Sequence, residues 1–217
     1  MNDRYDFIVK PPQWLRNLYP SVLWRAESDK KDKRVFLTFD DGPVPGITSW
    51  VVECLKSYEA RATFFCVGDN IRKYPSAFMR LKEEKEMETG CHSFSHKSGH
   101  RMGKKKFLKD LDKGLEYMPE TRWFRPPHGS MYPWWIKDIR RRGIEVVMWD
   151  VLSRDYDRSV GPGRVLRNVT ANVRPGSVIV FHDSLRAWPN LKVSLPRVLT
   201  WLKENGYRTE ILGSMDQ

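Results

Sequence analysis

Two adjacent carboxylates, Asp40 and Asp41, follow the β-like run Val35–Phe39 and precede Gly42-Pro43. Carboxylates at the tip of a buried strand cost free energy unless a metal, a cation or a substrate compensates them. Neighbouring strand residues point to opposite faces, so the two need not share a task. Asp-Gly-Pro is also good turn chemistry in its own right. Further on, His92-Ser93-Phe94-Ser95-His96 has the spacing that lets two imidazoles turn towards one ion. An isolated H-x₃-H is more often a surface or packing pair. With a strand-end carboxylate it becomes a three-ligand site with open positions, suited to catalytic zinc or equally to non-haem iron. A hydrolytic reaction at such a site needs a base for the attacking water and an acid for the leaving group. Asp40 is placed for the first task and His182 for the second; taken alone, His182 reads as well as a core histidine. Arg125 could orient the base or make an ordinary ion pair. Cys91 is expected to point away from His92, to the other strand face.

These residues need a scaffold that brings them together. From Arg34 onward, strand-like and helix-like segments alternate. The expected strands are 35–40, 62–67, 88–92, 123–125, 145–151, 177–181 and 207–212. The expected helices are 48–58 (with Thr48 as N-cap), 76–86, 105–117, 134–142, 163–173 and 193–205. Alternation at this spacing implies a parallel sheet with βαβ crossovers, and about seven units suggest an α/β fold of the closed or nearly closed (β/α) barrel type. On that map Asp40, Asp41, His92, Arg125, Asp150, Asp155, His182 and Asp183 all fall at strand ends. In such barrels that is the face where catalytic groups gather.

The 217 residues, 40% of them hydrophobic, suffice for one substantial core. Residues 1–33 read as an extension packed on the outside of the barrel and 34–217 as the domain itself. No stretch is apolar enough to span a bilayer. Without a secretory-signal pattern, and short of a leader already removed, a cytoplasmic protein is expected. Cys54, Cys66 and Cys91 form an odd set without CxxC spacing, which argues for buried packing rather than a disulfide framework. The formal charge of +11 includes basic clusters at 30–34, 104–106 and 140–142. These suit an anionic polymer or a membrane surface, or simply solvated helix ends. They do not interleave with aromatics in a nucleic-acid motif, so no nucleic-acid partner is expected. Nothing in the sequence sets the oligomeric state.

In order and residue type, these motifs resemble the polysaccharide deacetylases of carbohydrate esterase family 4, the NodB-homology domain. Thr38-Phe39-Asp40-Asp41-Gly42 is similar to the first family motif, which implies Asp40 as base and Asp41 as metal ligand. His92-Ser93-Phe94-Ser95-His96 is similar to the second, whose two histidines complete the ligand set. Arg125-Pro126-Pro127-His128-Gly129 is similar to the third; it implies Arg125 as positioner of the base and the His128 backbone N–H as an oxyanion donor. Trp149-Asp150 with Asp155-Tyr156 resembles the fourth, with Asp155 tuning the acid. Val180-Phe181-His182 resembles the fifth, with His182 as acid; Val180 and Tyr156 would line the acetyl pocket. Four positions depart from the pattern: Cys91 for a common Asn, His128 for Tyr, Tyr156 for Trp and Val180 for Leu. The resemblance covers residues 34–212. It implies a distorted (β/α) barrel, zinc as cofactor (with cobalt, nickel or manganese as alternatives) and removal of acetyl groups from an N-acetylated glycan. An O-acetyl esterase or small-amide hydrolase, a non-catalytic glycan binder and a nucleic-acid binder are the rival readings, in falling order.

Overall fold

The computed structural model describes residues 9–27 and 32–216. Part of the 30–34 basic cluster and the first eight residues of the extension lie outside the described residues. Eight strands form one all-parallel sheet: β1 (Arg34–Asp40), β2 (Ala62–Cys66), β3 (Met87–Cys91), β4 (Trp123–Phe124), β5 (Glu145–Val146), β6 (Val151–Leu152), β7 (Val178–His182) and β8 (Arg208–Thr209). Their order is β5-β4-β3-β2-β1-β7-β6, with β8 paired to the start of β1. This is the expected distorted (β/α) barrel. Its main helices are α1 (Gln13–Leu18), α2 (Ile47–Ser57), α3 (Gly68–Lys73), α4 (Pro75–Glu83), α5 (Gly99–Met102), α6 (Lys104–Leu115), α7 (Ile136–Arg140), α8 (Pro162–Thr170) and α9 (Trp188–Glu204).

The period of two in each strand sorts its side chains between two cores. Val35, Leu37, Phe39, Phe64, Cys66, Cys91, Ile179 and Phe181 pack outward under the helices with Val51, Leu55, Leu195 and Val198. Phe36, Phe65, Trp123, Val147, Val178 and Leu212 fill the inside of the barrel at its lower end. Gly90 leaves room for that plug, since a Cβ there would meet the Phe65 ring at 2.7 Å. Cys91 lies in the outer core, on the face away from His92, as its position next to a strand-end histidine requires.

Three expectations change. The single strand read over 145–151 is two short ones: β5 pairs with β4, and β6 pairs with β7. One segment therefore reaches both ends of the sheet path, and its middle swings between them. Second, Thr48 is not an N-cap. The helix begins at Ile47, and the Thr48 hydroxyl donates to Asp183 Oδ2 at 2.5 Å while accepting the Val44 N–H. Third, the extension does more than lie on the outside. Leu23 accepts from the Met148 N–H and donates its own to Val146 O, and the Ala26 N–H donates to Gly176 O. Residues 23–26 thus fill the opening between β5 and β7.

Candidate active site

The inner faces of β1, β4 and β7 build the site in layers. Above the apolar plug, the fully buried Arg125 guanidinium lies over the Phe65 ring at 4.1 Å. Its Nη1 donates to Thr38 Oγ1 and to Asp40 Oδ1, each at 2.7 Å, and Nη2 donates to the Met148 carbonyl. Nε donates to the Val147 carbonyl as well, so all three nitrogens of the fork are engaged and Asp40 is held by a buried, charge-assisted contact. Asp40 is itself 4% exposed.

Past Asp40 the chain turns abruptly. Asp41 adopts a left-handed φ of 81°, and the following Gly42–Pro43 peptide is cis. Gly42 is required here: a Cβ would come within 2.0 Å of Asp183 Oδ2. Asp183, buried at the end of β7, receives the Gly42 N–H at 3.0 Å and the Thr48 hydroxyl, and its own N–H reaches the Asp40 carbonyl. Burial, then the neighbouring Asp41 charge, pushes the Asp183 carboxyl up to about 8. Its place at a strand end was legible in the sequence; its grip on the Asp41–Gly42 turn was not.

Asp41, His92 and His96 each direct a ligand atom to one spot, all within 4.8 Å of one another. His96 Nε2 stands 3.0 Å and His92 Nε2 3.9 Å from Asp41 Oδ1. His92 Nδ1 contacts the Arg125 carbonyl at 2.8 Å. A carbonyl only accepts, so Nδ1 carries the proton and Nε2 presents its lone pair, as a metal-ligating imidazole must. Burial holds the His92 pKa down at about 4, which keeps it neutral. Burial opposes ionisation of Asp41, but the His96 hydrogen bond and the nearby imidazoles outweigh it and hold the carboxyl well below its ordinary range. Two imidazoles and one carboxylate fit a divalent cation such as zinc. The strained turns agree: Asp41, His96 and His128 have φ of 81°, 55° and 59°, and such residues cluster where geometry is over-determined for function.

Across the cavity, Asp155 is fully buried and grips His182 twice, through Nδ1 and through the backbone N–H, each at 2.8 Å. Burial alone would lower the His182 pKa; the Asp155 carboxylate reverses this and raises it to about 9. Tyr156 packs edge-on to the His182 ring at 4.8 Å. His92, His96, His128, Trp149, Tyr156, Val180 and His182 line a cavity of about 540 Å³ together with Asp40 and Asp41. A second cleft of about 670 Å³ shares His96 and His128 and runs on past Lys97, Ser98 and Arg101.

All ten sequence-predicted site residues reach this region; Arg125 and Asp155 sit just behind the cavity wall, on Asp40 and His182. Asp150 does not. It is buried near the start of β7, bonded to Arg16 Nη2 (2.6 Å), Arg174 Nη2 (2.9 Å) and Ser177 Oγ (2.7 Å). The break between β5 and β6 turns it away from the cavity.

A model of the polysaccharide deacetylase family matches residues 27–147. The chain is 28% identical over 198 residues to a peptidoglycan-N-acetylglucosamine deacetylase of Bacillus cereus, covering 89% of this chain and 92% of that protein. It is 29% identical over 197 residues to the peptidoglycan-N-acetylmuramic acid deacetylase PdaC of Bacillus subtilis, covering 87% of this chain and 40% of that longer protein. Among solved structures, a peptidoglycan N-acetylglucosamine deacetylase bound to a hydroxamic acid superposes with a TM-score of 0.82 at 26% identity, covering 94% of this chain and 95% of that one. A pseudoenzyme of carbohydrate esterase family 4 from Bacillus anthracis superposes at 0.80 with 23% identity over 94% of this chain and 71% of that one, a likeness of fold alone. With more than half its length under the family model, the chain belongs to the polysaccharide deacetylase family.

Proposed function

We propose that this protein hydrolyses the acetamido groups of an N-acetylated amino-sugar polymer of the peptidoglycan type, releasing acetate and leaving a free amine. The observation that carries this reading is the convergence on one cavity of two separately supported proton-transfer groups, Arg125–Asp40 and Asp155–His182, around the Asp41, His92 and His96 donor set. Those three residues would hold a divalent ion, with zinc first; when bound, it supplies Lewis acidity towards the amide oxygen and makes water more acidic.

The chain's own groups do the rest. Asp40, fixed by Arg125, takes a proton from the water as its oxygen bonds to the acetyl carbon. The His128 backbone N–H faces the oxygen on which negative charge collects and supplies an oxyanion contact. His182, charged at neutral pH and held by Asp155, delivers its proton to the amide nitrogen as the C–N bond breaks. Val180, Tyr156 and Trp149 give the acetyl methyl an apolar wall. The names of the relatives in Bacillus support peptidoglycan as the polymer.

The test is acetate release from N-acetylglucosamine oligomers and from peptidoglycan glycan strands, before and after chelation. Chelator-sensitive release restored by zinc supports the reading. No release from either substrate by zinc-loaded protein would overturn it.

A further inference from the structure

Helix α1 sends one apolar side chain, Leu15, against the core and leaves the others outside. A surface helix ordinarily turns its apolar stripe to the core and its charges to water. Here the cation goes inward: Arg16 reaches the fully buried Asp150 at 2.6 Å, with 11% of its side chain exposed. Trp14 and Leu18, one turn apart on one face, remain 58% and 54% exposed, and no residue of the helix is buried.

This outward face does not stand alone. Leu18 and Trp134 line the same groove of about 590 Å³, between the extension and α7. Trp134 is 66% exposed and stacks on the exposed Tyr132 at 4.7 Å. Seven large apolar side chains are exposed among the described residues, and Leu18 and Trp134, with Tyr132 stacked on Trp134, gather at this groove. Single exposed apolar residues are ordinary; a cluster rimmed by charge marks a docking surface. The rim is basic. Lys137, Arg140 and Arg141 line the groove, and of these only Arg141 has a carboxylate partner among the described residues, Asp138 on its own helix. By contrast, Arg142 in the same run is occupied by Asp112.

We propose that this face docks on an anionic phospholipid surface. Leu18 and Trp134 enter the headgroup region, and Lys137, Arg140 and Arg141 meet the lipid phosphates. Indole rings favour the membrane–water interface, and lysine and arginine beside them add attraction that salt screens. No helix among the described residues is long and apolar enough to cross a membrane; the contact proposed for this face is a peripheral one that salt weakens.

Co-sedimentation of the whole chain with phosphatidylcholine vesicles, with and without phosphatidylglycerol, tests this. The protein should partition onto the anionic vesicles and be released by high salt. Lys137→Glu/Arg140→Glu should weaken that partition by about tenfold or more, and Leu18→Ser/Trp134→Ala should weaken it at every salt concentration. Both variants should keep the wild-type melting temperature and the wild-type rate on soluble N-acetylated oligomers, which separates this proposal from the catalytic one. Three results would each overturn it: no vesicle binding by wild type, equal binding by the charge-reversed variant, or a wild-type dimer in light scattering that both variants convert to monomer.

Discussion

In the proposed reaction His182 and Asp40 do opposite work because their partners have opposite charge. His182 faces a buried carboxylate, which raises its pKa to about 9, so kcat/KM should hold through neutrality and fall on its alkaline limb as pH rises past about 9. Asp155→Asn removes the charge that causes the shift, and the alkaline limb should move down by about one unit or more. An unmoved limb in that variant would separate Asp155 from the acid. The same shift acts on stability. A group whose folded pKa exceeds its unfolded value of 6.5 stabilises fully below 6.5 and loses that increment as pH rises through about 9. Thermal melts of His182→Gln should therefore be flatter across that window than those of wild type. At the other pole, Asp40→Asn keeps the shape and should still bind zinc in a competition assay, while acetate release drops by about 10²–10⁴-fold. Near-wild-type turnover would remove the base assignment.

At the scale of elements, the turn after β1 is held from β7. Asp183 receives the Gly42 N–H and the Thr48 hydroxyl, so Asp183→Ala should leave two buried donors unsatisfied. The expected loss is about 2–4 kcal/mol in denaturant melts, accompanied by weaker zinc binding. Gly42→Ala forces a methyl into the same carboxylate and should cost about 1–3 kcal/mol. A Gly42→Ala variant with unchanged stability and zinc affinity would show that the turn has slack. Much of this site was legible in the sequence because strand ends in a parallel barrel are local signals: a period of two, then a polar residue, then a turn. Asp40, His92, Arg125 and His182 were each found this way. What was not legible depends on long-range geometry. The run 145–151 is apolar enough for one strand, and nothing local marks the point where it leaves β4 for β7, so Asp150 was placed on the wrong face. Thr48 has the chemistry of an N-cap, yet its partner lies 135 residues away.

For the molecule as a whole, Asp150 ties the extension to the barrel through Arg16 and Arg174. Burial opposes its ionisation, but those guanidinium groups and Ser177 hold its pKa at about 2. Asp150→Ala should strand the buried Arg16 charge and cost about 3 kcal/mol, with kcat unchanged below the shifted melting temperature. Lost activity at full stability would put Asp150 back into the chemistry. Residues 23–26 have a different consequence. The eight residues from Glu145 to Leu152 finish both rims of the sheet, and Leu23 and Ala26 occupy the backbone groups exposed between those rims. At these positions the sheet offers nothing for a foreign strand to join. Deleting residues 1–26 would free the Met148 N–H and the Val146 and Gly176 carbonyls together, turning a covered edge into a template. The shortened chain should self-associate in a concentration-dependent way, so this short segment would guard the protein against its own copies.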